Sequence, residues 1–168
     1  MLQEIDFVKA PVMTSPNNLV LICTEKPDGS TNLATVSFFN FLSYNPPMLG
    51  FAMGKRSFSG QRVRETGRVI VTVPGQSLKG IAMGCGTVSG RDMDKVGSFR
   101  VKMQAVPDSS IQIPEDTKAA FVATLQQVVE TGDHNLYICN VEKAYGDEEK
   151  EALFAWIGYS KLGPVPKK

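Results

Sequence analysis

The side chains best suited to binding an anion lie together between residues 55 and 59. The segment follows an apolar run and precedes a stretch of helical character, and its polar members are Lys55, Arg56, Ser57 and Ser59. A helix N-terminus presents unpaired N–H groups and partial positive charge, and arginine binds phosphate oxygens in a bidentate manner. Two interpretations stand: a phosphate site, or a capped surface helix with solvated basic residues.

A second polar cluster, residues 89–95, carries the same two interpretations and ends in Lys95. Neither cluster has the sequence of a known nucleotide loop. The chain contains no G-x-x-x-x-G-K-[ST] motif, and no G-x-G-x-x-G follows a predicted strand. Any anion site in this chain therefore differs from a Walker-type loop.

Residues 32–38 alternate small hydroxyl side chains with apolar ones. Backbone N–H and C=O groups at the end of such a strand are able to bond the polar edge of a planar ring. The alternative is a half-buried strand whose Thr35 and Ser37 face water. The pattern alone leaves both open.

His134 is the only histidine, which excludes a multi-histidine metal site within one subunit. A Ser-His-Asp triad would also need it, but no G-x-S-x-G sequence accompanies it. His134 lies in a Gly-Asp-His turn, where it either stabilises the turn or contacts a ligand.

The three cysteines, Cys23, Cys85 and Cys139, are odd in number and widely spaced. This pattern predicts neither a disulfide framework nor a zinc site. Cys23 and Cys139 lie in apolar runs, so we expect buried thiols there. Cys85, between two glycines, has no role that the sequence assigns.

The elements that must position these residues are short. Fifteen glycines and ten prolines divide the chain in a way typical of strands joined by turns. Residues 19–24 and 32–41 predict a hairpin about the turn at 26–30. Further strands are predicted at 48–53, 69–73, 119–130, 136–145 and 153–159, helices at 57–66 and 77–84, each with a serine N-cap, and a loop at 88–114 with one possible strand near 99–106. The sum is one mainly β domain, residues 1–168, with two or three short helices, and it favours a barrel.

Composition narrows the function classes. The chain has 168 residues, 42% of them hydrophobic, and its 18 basic and 17 acidic residues give a net charge of +1. A nucleic-acid partner is not expected without a basic excess, and no apolar run is long enough to predict a membrane span. The first residues are acidic where a secretory signal is basic, so we expect a cytoplasmic protein.

Taken in order, several segments resemble the flavin reductase-like, FMN-binding split-barrel family (flavoredoxin-like). The resemblance runs from about Pro16 to Gly163 and is carried by residues 32–38, 45–49, 55–59, 65–67, 69–73, 89–95, 132–134 and 158–163. It implies a Greek-key split β-barrel that forms a homodimer, with FMN near the subunit interface. The chain departs from the family pattern at Phe38, at Asn45 and over residues 138–141.

The resemblance also implies roles for single residues. Thr35, Val36, Ser37 and Phe38 would line the isoalloxazine ring, mainly through backbone groups. Lys55, Arg56, Ser57 and Ser59 would hold the phosphate, and Lys95 would reach the phosphate or the flavin tail. His134 would lie on the open face, where a nicotinamide stacks.

The leading hypothesis is an FMN-binding oxidoreductase that passes electrons from NADH or NADPH to flavin, metal or another small-molecule or protein acceptor. An alternative, motivated by the departures after His134, is a flavin-binding electron-transfer module without its own pyridine-nucleotide site. Another alternative is a non-catalytic split barrel that binds haem or another planar ligand.

Overall fold

Residues 1–165, which a computed structural model describes, form mainly β-strands. The last three residues of the predicted domain, 166–168, lie outside the described residues. The strands are β1 (Val20–Glu25), β2 (Thr31–Val36), β3 (Phe39–Tyr44), β4 (Pro47–Gly54), β5 (Arg68–Pro74), β6 (Met103–Gln104), β7 (Ile113–Pro114), β8 (Thr117–Thr131), β9 (His134–Gly146), β10 (Phe154–Trp156) and β11 (Lys161–Gly163). The helices are α1 (Ala10–Met13), α2 (Phe58–Thr66), α3 (Lys79–Thr87) and α4 (Lys95–Ser98), with 3-10 turns at Phe7–Lys9 and Gln76–Leu78. No helix in the described part of the chain has the length and apolar character needed to cross a membrane.

The main sheet closes on itself through a short corner. Its seven antiparallel strands run in the order β2-β1-β5-β8-β9-β4-β3, so β2 and β3 are at opposite edges. Only Ser37 and Phe38 separate these two strands along the chain. Consecutive Cα atoms are about 3.8 Å apart, so the two edges come within about 11 Å of each other. The sheet is therefore curled into a split barrel, with the gap at the corner.

The corner corrects the predicted strand at 32–41. That segment forms two strands, because the chain turns at Ser37 and Phe38 to pass from one sheet edge to the other. The turn is held by two backbone hydrogen bonds, from the Phe39 N–H to the Ser37 carbonyl at 2.9 Å and from the Ala52 N–H to the Phe38 carbonyl at 2.8 Å.

Three other predicted elements differ from the structure. The predicted strand at 153–159 is only β10, because the chain then turns at Ile157 and Gly158, which have positive φ, and returns as β11. The strand near 99–106 is only β6, which pairs with β7. The second helix has no serine cap, because the Ser77 hydroxyl bonds the Asp116 carboxylate instead. The two nine-residue helices are near their predicted positions, and α1 and α4 are additional single turns.

Both faces of the central strands are buried. Along β1 and the residue before it, Leu19, Leu21 and Cys23 face one core, which α3 and the 99–113 segment cover. Val20 and Ile22 face the other core, which also contains Phe51, Val63 and Tyr137. Burial on both faces explains the continuous apolar run at 19–24. The position of β2 follows from that of β1, because the two strands pair over six residues.

Candidate functional site

Helix α2 begins at the anion-binding segment for local reasons. The Ser57 hydroxyl accepts a hydrogen bond from the Gly60 N–H at 3.2 Å, and Val63 is fully buried. The helix ends at Gly67, whose φ of 69° is a left-handed conformation that favours glycine. The predicted helix and its serine cap are confirmed. This cap occupies the Gly60 N–H, whereas the N–H groups of Phe58 and Ser59 have no partner within the helix and are available to an anion.

A cavity of about 300 Å³, the α2 cavity, opens at this N-terminus. Two of its lining residues, Arg56 and Lys95, carry positive charge, and none of the described residues that line it is acidic. It therefore attracts anions. It is lined by Ala34, Thr35, Met53, Arg56, Ser57, Phe58, Ser59, Cys85, Gly86, Thr87, Val88, Ser89, Gly90 and Lys95.

Lys95 is buried in the wall of the α2 cavity. Its Nζ donates to the carbonyl oxygens of Leu33 and Cys85, each at 2.8 Å, and so ties β2 to α3. An ammonium group has three N–H donors, so one remains beyond these two bonds. Burial lowers the pKa of Lys95, and the neighbouring Cys85 partly offsets this. Burial also raises the pKa of the Cys85 thiol to about 11, which keeps it protonated.

Behind the cavity wall lies a buried amide. Asn32 on β2 donates through Nδ2 to the Ser59 hydroxyl at 2.8 Å and to the Thr24 hydroxyl at 3.4 Å. Asn32 and Ser59 are each 3% exposed. A Cβ atom at Gly90 would overlap Asn32 Oδ1, so glycine lets the 88–91 loop pack directly on this amide.

The β2 groove, about 290 Å³, adjoins the α2 cavity. The two share Thr35, Met53 and Ser57. The groove is mainly apolar, in contrast to the polar cavity. Together they form the channel: a cavity that suits an anion, beside a groove that suits a planar, apolar group. The groove is lined by Thr35, Val36, Phe38, Ala52, Met53, Gly54, Ser57, His134 and Tyr159.

Strand β2 presents a free backbone edge to this channel. It is an edge strand, and among the described residues it pairs with β1 alone. The Leu33 carbonyl points away from β1, towards Lys95. Backbone groups two residues apart in a strand face the same edge, so the N–H and C=O of Thr35 face the channel. The Thr35 hydroxyl is not available there, because it donates to the Ala82 carbonyl at 2.6 Å.

His134 lies at the other end of the groove. The β8–β9 turn, in which Gly132 has a φ of 50°, places it at the start of β9. Its ring centroid is 5.4 Å from that of Phe38, with the planes tilted by 57°. Its Nδ1 lies 2.7 Å from Asp133 Oδ1, and this hydrogen bond lowers the pKa of Asp133.

Most predicted site residues come together along the channel. Thr35 and Ser57 lie at the junction, Arg56, Ser59 and Lys95 line the cavity, and Val36, Phe38 and His134 line the groove.

Two predicted site residues line neither the cavity nor the groove. Ser37 is at the corner, near Tyr159: burial raises the pKa of Tyr159, and its interaction with Ser37 partly offsets this increase. The Lys55 ammonium is turned to Glu130 on β8 and lies outside the cavity, although its side chain is adjacent to Arg56 in sequence.

The sequence interpretation missed part of the cavity wall. Residues 85–88, which are the end of α3 and the residue after it, line the cavity beside the predicted 89–95 cluster. The glycines at 84 and 86 were the available signal. Asn32 was considered only as part of a strand, because its contact with Ser59 joins residues that are 27 positions apart.

The expectation of buried thiols is confirmed for Cys23 and Cys139. Both are completely buried, and burial raises the pKa of each to about 12. Cys85 is also buried and free.

Comparison with known proteins gives consistent matches. Residues 12–163 match the family model described as "Flavin reductase like domain". A flavin reductase of Pseudomonas putida is 26% identical over 143 residues, which cover 85% of this chain and 81% of that protein.

Two solved structures share the fold. An FMN-binding protein from Thermus thermophilus, with bound 1-cyclohex-2-enone, superposes with a TM-score of 0.84 at 18% identity, covering 100% of this chain and 97% of its own. An NADH:FAD oxidoreductase of Streptomyces globisporus superposes with a TM-score of 0.83 at 16% identity, covering 99% of this chain and 98% of its own.

Proposed function

The chain belongs to the flavin reductase-like domain family, and from this premise we propose that it is a flavin-dependent reductase that binds FMN in the channel described above and takes electrons from NADH or NADPH. The observation that carries the proposal is that the α2 cavity adjoins the β2 groove and shares lining residues with it. A cationic cavity, which no carboxylate of the described residues lines, lies beside an apolar groove with a free backbone edge, and this matches a ligand with a phosphate at one end and a planar ring at the other.

The residues of the α2 cavity fit a phosphate monoester. The first-turn N–H groups of α2 and the Arg56 guanidinium supply donors, and Lys95 supplies a buried positive charge. The Ser59 hydroxyl adds a donor that is nearly excluded from water. These residues would hold the phosphate.

The β2 groove fits a flat heteroaromatic ring. The N–H and C=O of Thr35 face it from the strand edge, and Val36, Met53 and Ala52 provide apolar contact. In this proposal the contacts with the ring are mainly through backbone groups. Bound FMN supplies the chemistry of accepting a hydride and releasing electrons, and the protein places and hydrogen bonds the ring.

His134 and Phe38 would position the electron donor. Their rings line the groove, so a nicotinamide stacked on the flavin would meet them. Asp133 holds the His134 ring through Nδ1, which leaves Nε2 directed away from that bond. The acceptor in this proposal is free flavin, a metal ion, or another small molecule or protein.

Spectroscopy and stopped-flow kinetics test the proposal in sequence. The purified protein should show flavin absorption bands, or gain them with quenched flavin fluorescence when FMN is added. Mixing the FMN-loaded protein anaerobically with NADH and with NADPH should bleach the flavin promptly with at least one of them.

The outcomes separate the candidate functions. Failure to bind FMN overturns the whole proposal, and mass spectrometry of the bound ligand would then test for haem or another planar molecule. FMN binding without bleaching by either nucleotide would indicate an electron-transfer module whose electrons come from another protein.

A homodimer is the second part of the proposal. Strand β3 is at a sheet edge and exposes Phe41, Leu42 and Tyr44, with relative exposures of 57%, 47% and 94%. Exposed apolar side chains on an edge strand favour association. Sedimentation should therefore give about twice the monomer mass of 18.3 kDa, and replacement of Phe41 by Asp should produce monomers. A wild-type monomer would contradict this part alone.

A further inference from the structure

The Ser59 hydroxyl in the α2 cavity is held by one defined hydrogen bond. In the described residues, its only hydrogen-bond partner is Asn32, whose Nδ2 donates to it at 2.8 Å. A hydroxyl has one proton and two lone pairs. Because Asn32 occupies a lone pair, the Ser59 proton is left to donate elsewhere, and Ser59 lines the cavity.

The Asn32 amide is enclosed by its other neighbours. The same Nδ2 also reaches the Thr24 hydroxyl on β1, at 3.4 Å. Asn32 Oδ1 faces Gly90, where the loop approaches so closely that no side chain fits. Asn32 is 3% exposed, so water does not compete for these bonds.

We propose that Asn32 is a positioning residue for the anion site: its amide sets the Ser59 hydroxyl as a proton donor into the α2 cavity, and so makes the cavity select a flavin with a phosphate over one without. This inference rests on the proposed function, because it assumes that the phosphate of FMN occupies the cavity. A phosphate oxygen accepts hydrogen bonds and does not donate them when fully ionised, so the direction of the Ser59 proton decides whether that contact attracts or repels.

The test compares FMN with riboflavin, which has the same ring but no phosphate. Dissociation constants for both are measured by flavin fluorescence quenching at pH 8 on wild type, Asn32→Asp, Asn32→Leu and Thr24→Val. The Asp side chain has the shape of Asn but accepts hydrogen bonds and carries a negative charge, so it turns the Ser59 proton away from the cavity and also repels a phosphate; the uncharged Asn32→Leu therefore isolates the loss of the donor. Leu removes the donor. Val at position 24 removes the other partner of Asn32 and leaves the Asn32–Ser59 bond, so it is the matched control.

The ratio of riboflavin to FMN dissociation constants should fall at least about tenfold in Asn32→Asp, the effect of losing one hydrogen bond to a charged group. It should fall less in Asn32→Leu and stay at the wild-type value in Thr24→Val. A structural role alone would weaken both flavins together and leave the ratio unchanged.

Circular dichroism first establishes which variants are folded, and Asn32→Leu serves if Asn32→Asp is not. A folded Asn32 variant that keeps the wild-type ratio overturns the inference; in the Asp variant this would mean that Ser59 donates to position 32. A wild-type protein with equal affinity for both flavins would instead overturn the phosphate site of the proposed function, and the inference with it.

Discussion

Replacing Arg56 by Ala should weaken FMN binding much more than replacing its neighbour Lys55 by Ala. The two cations are adjacent in sequence, but only Arg56 lines the α2 cavity. The Lys55 ammonium is paired with Glu130, and the two side chains are 40% and 75% exposed. The pair of variants therefore separates a specific contact from the general positive charge of the segment.

The magnitude follows from the surroundings of each residue. A hydrogen bond to a charged group contributes about 1.5–3 kcal/mol. Arg56 is exposed at the cavity mouth, so solvent screening places its effect near the lower limit, equivalent to about a tenfold rise in the dissociation constant. Lys55 acts only through screened long-range attraction, which is about 0.4 kcal/mol at about 10 Å in water, or about twofold.

Fluorescence titration of the apoprotein with FMN and riboflavin measures both effects. We expect Arg56→Ala to lower the FMN affinity and leave the riboflavin affinity nearly unchanged, with a smaller loss at high salt. The reasoning is refuted if Lys55→Ala weakens FMN binding as much as Arg56→Ala, or if Arg56→Ala weakens both flavins equally.

Three further predictions concern stability, thiol reactivity and the electron donor. Gly90→Ala should lower the free energy of unfolding by about 1–3 kcal/mol in denaturant titrations, because its Cβ would overlap Asn32 Oδ1. Gly80→Ala is the control: it has open space in α3 and should be neutral or stabilising. Equal effects of the two variants would contradict the close packing of Gly90 on Asn32. The three thiols, with pKa values raised to about 11 or 12, should resist Ellman's reagent at pH 8 until the protein is unfolded. Rapid reaction of the native protein with this reagent would disprove the burial of the thiols. Since the thiols of the unfolded chain have a pKa near 9.0, the free energy of unfolding should also decrease as the pH rises above that value. His134→Ala should slow flavin reduction by the nicotinamide donor about tenfold in stopped-flow experiments while FMN affinity stays within about twofold; an unchanged rate would remove His134 from the donor site.

Elements with local causes were predictable from the sequence. Helix α2 has its cap at Ser57 and its terminator at Gly67, so its bounds are determined within ten residues of sequence. Strand β1 is a continuous apolar run because both of its faces are buried. In both cases the cause can be read within the segment itself: a cap and a terminator for α2, and burial on both faces for β1.

Features set by distant contacts were not predictable. The run from Asn32 to Phe41 is rich in strand-forming residues, and only the closure of the sheet breaks it at Ser37 and Phe38. The direction of the Lys55 side chain depends on Glu130, which is 75 residues away. The family resemblance supplied the set of site residues, but the side-chain directions required the three-dimensional structure.

The two-residue corner has a consequence for how tightly the site can hold a ligand. It tethers the two edges of the sheet, so the Thr35 edge and the Phe38 ring are already near each other before anything binds. A ligand that touches both sides loses little chain entropy on binding, because the tether has restricted their relative motion in advance. A longer link would release that restraint. Glycine–serine residues inserted after Ser37 should therefore reduce flavin affinity progressively with their number, even though every contacting side chain is retained.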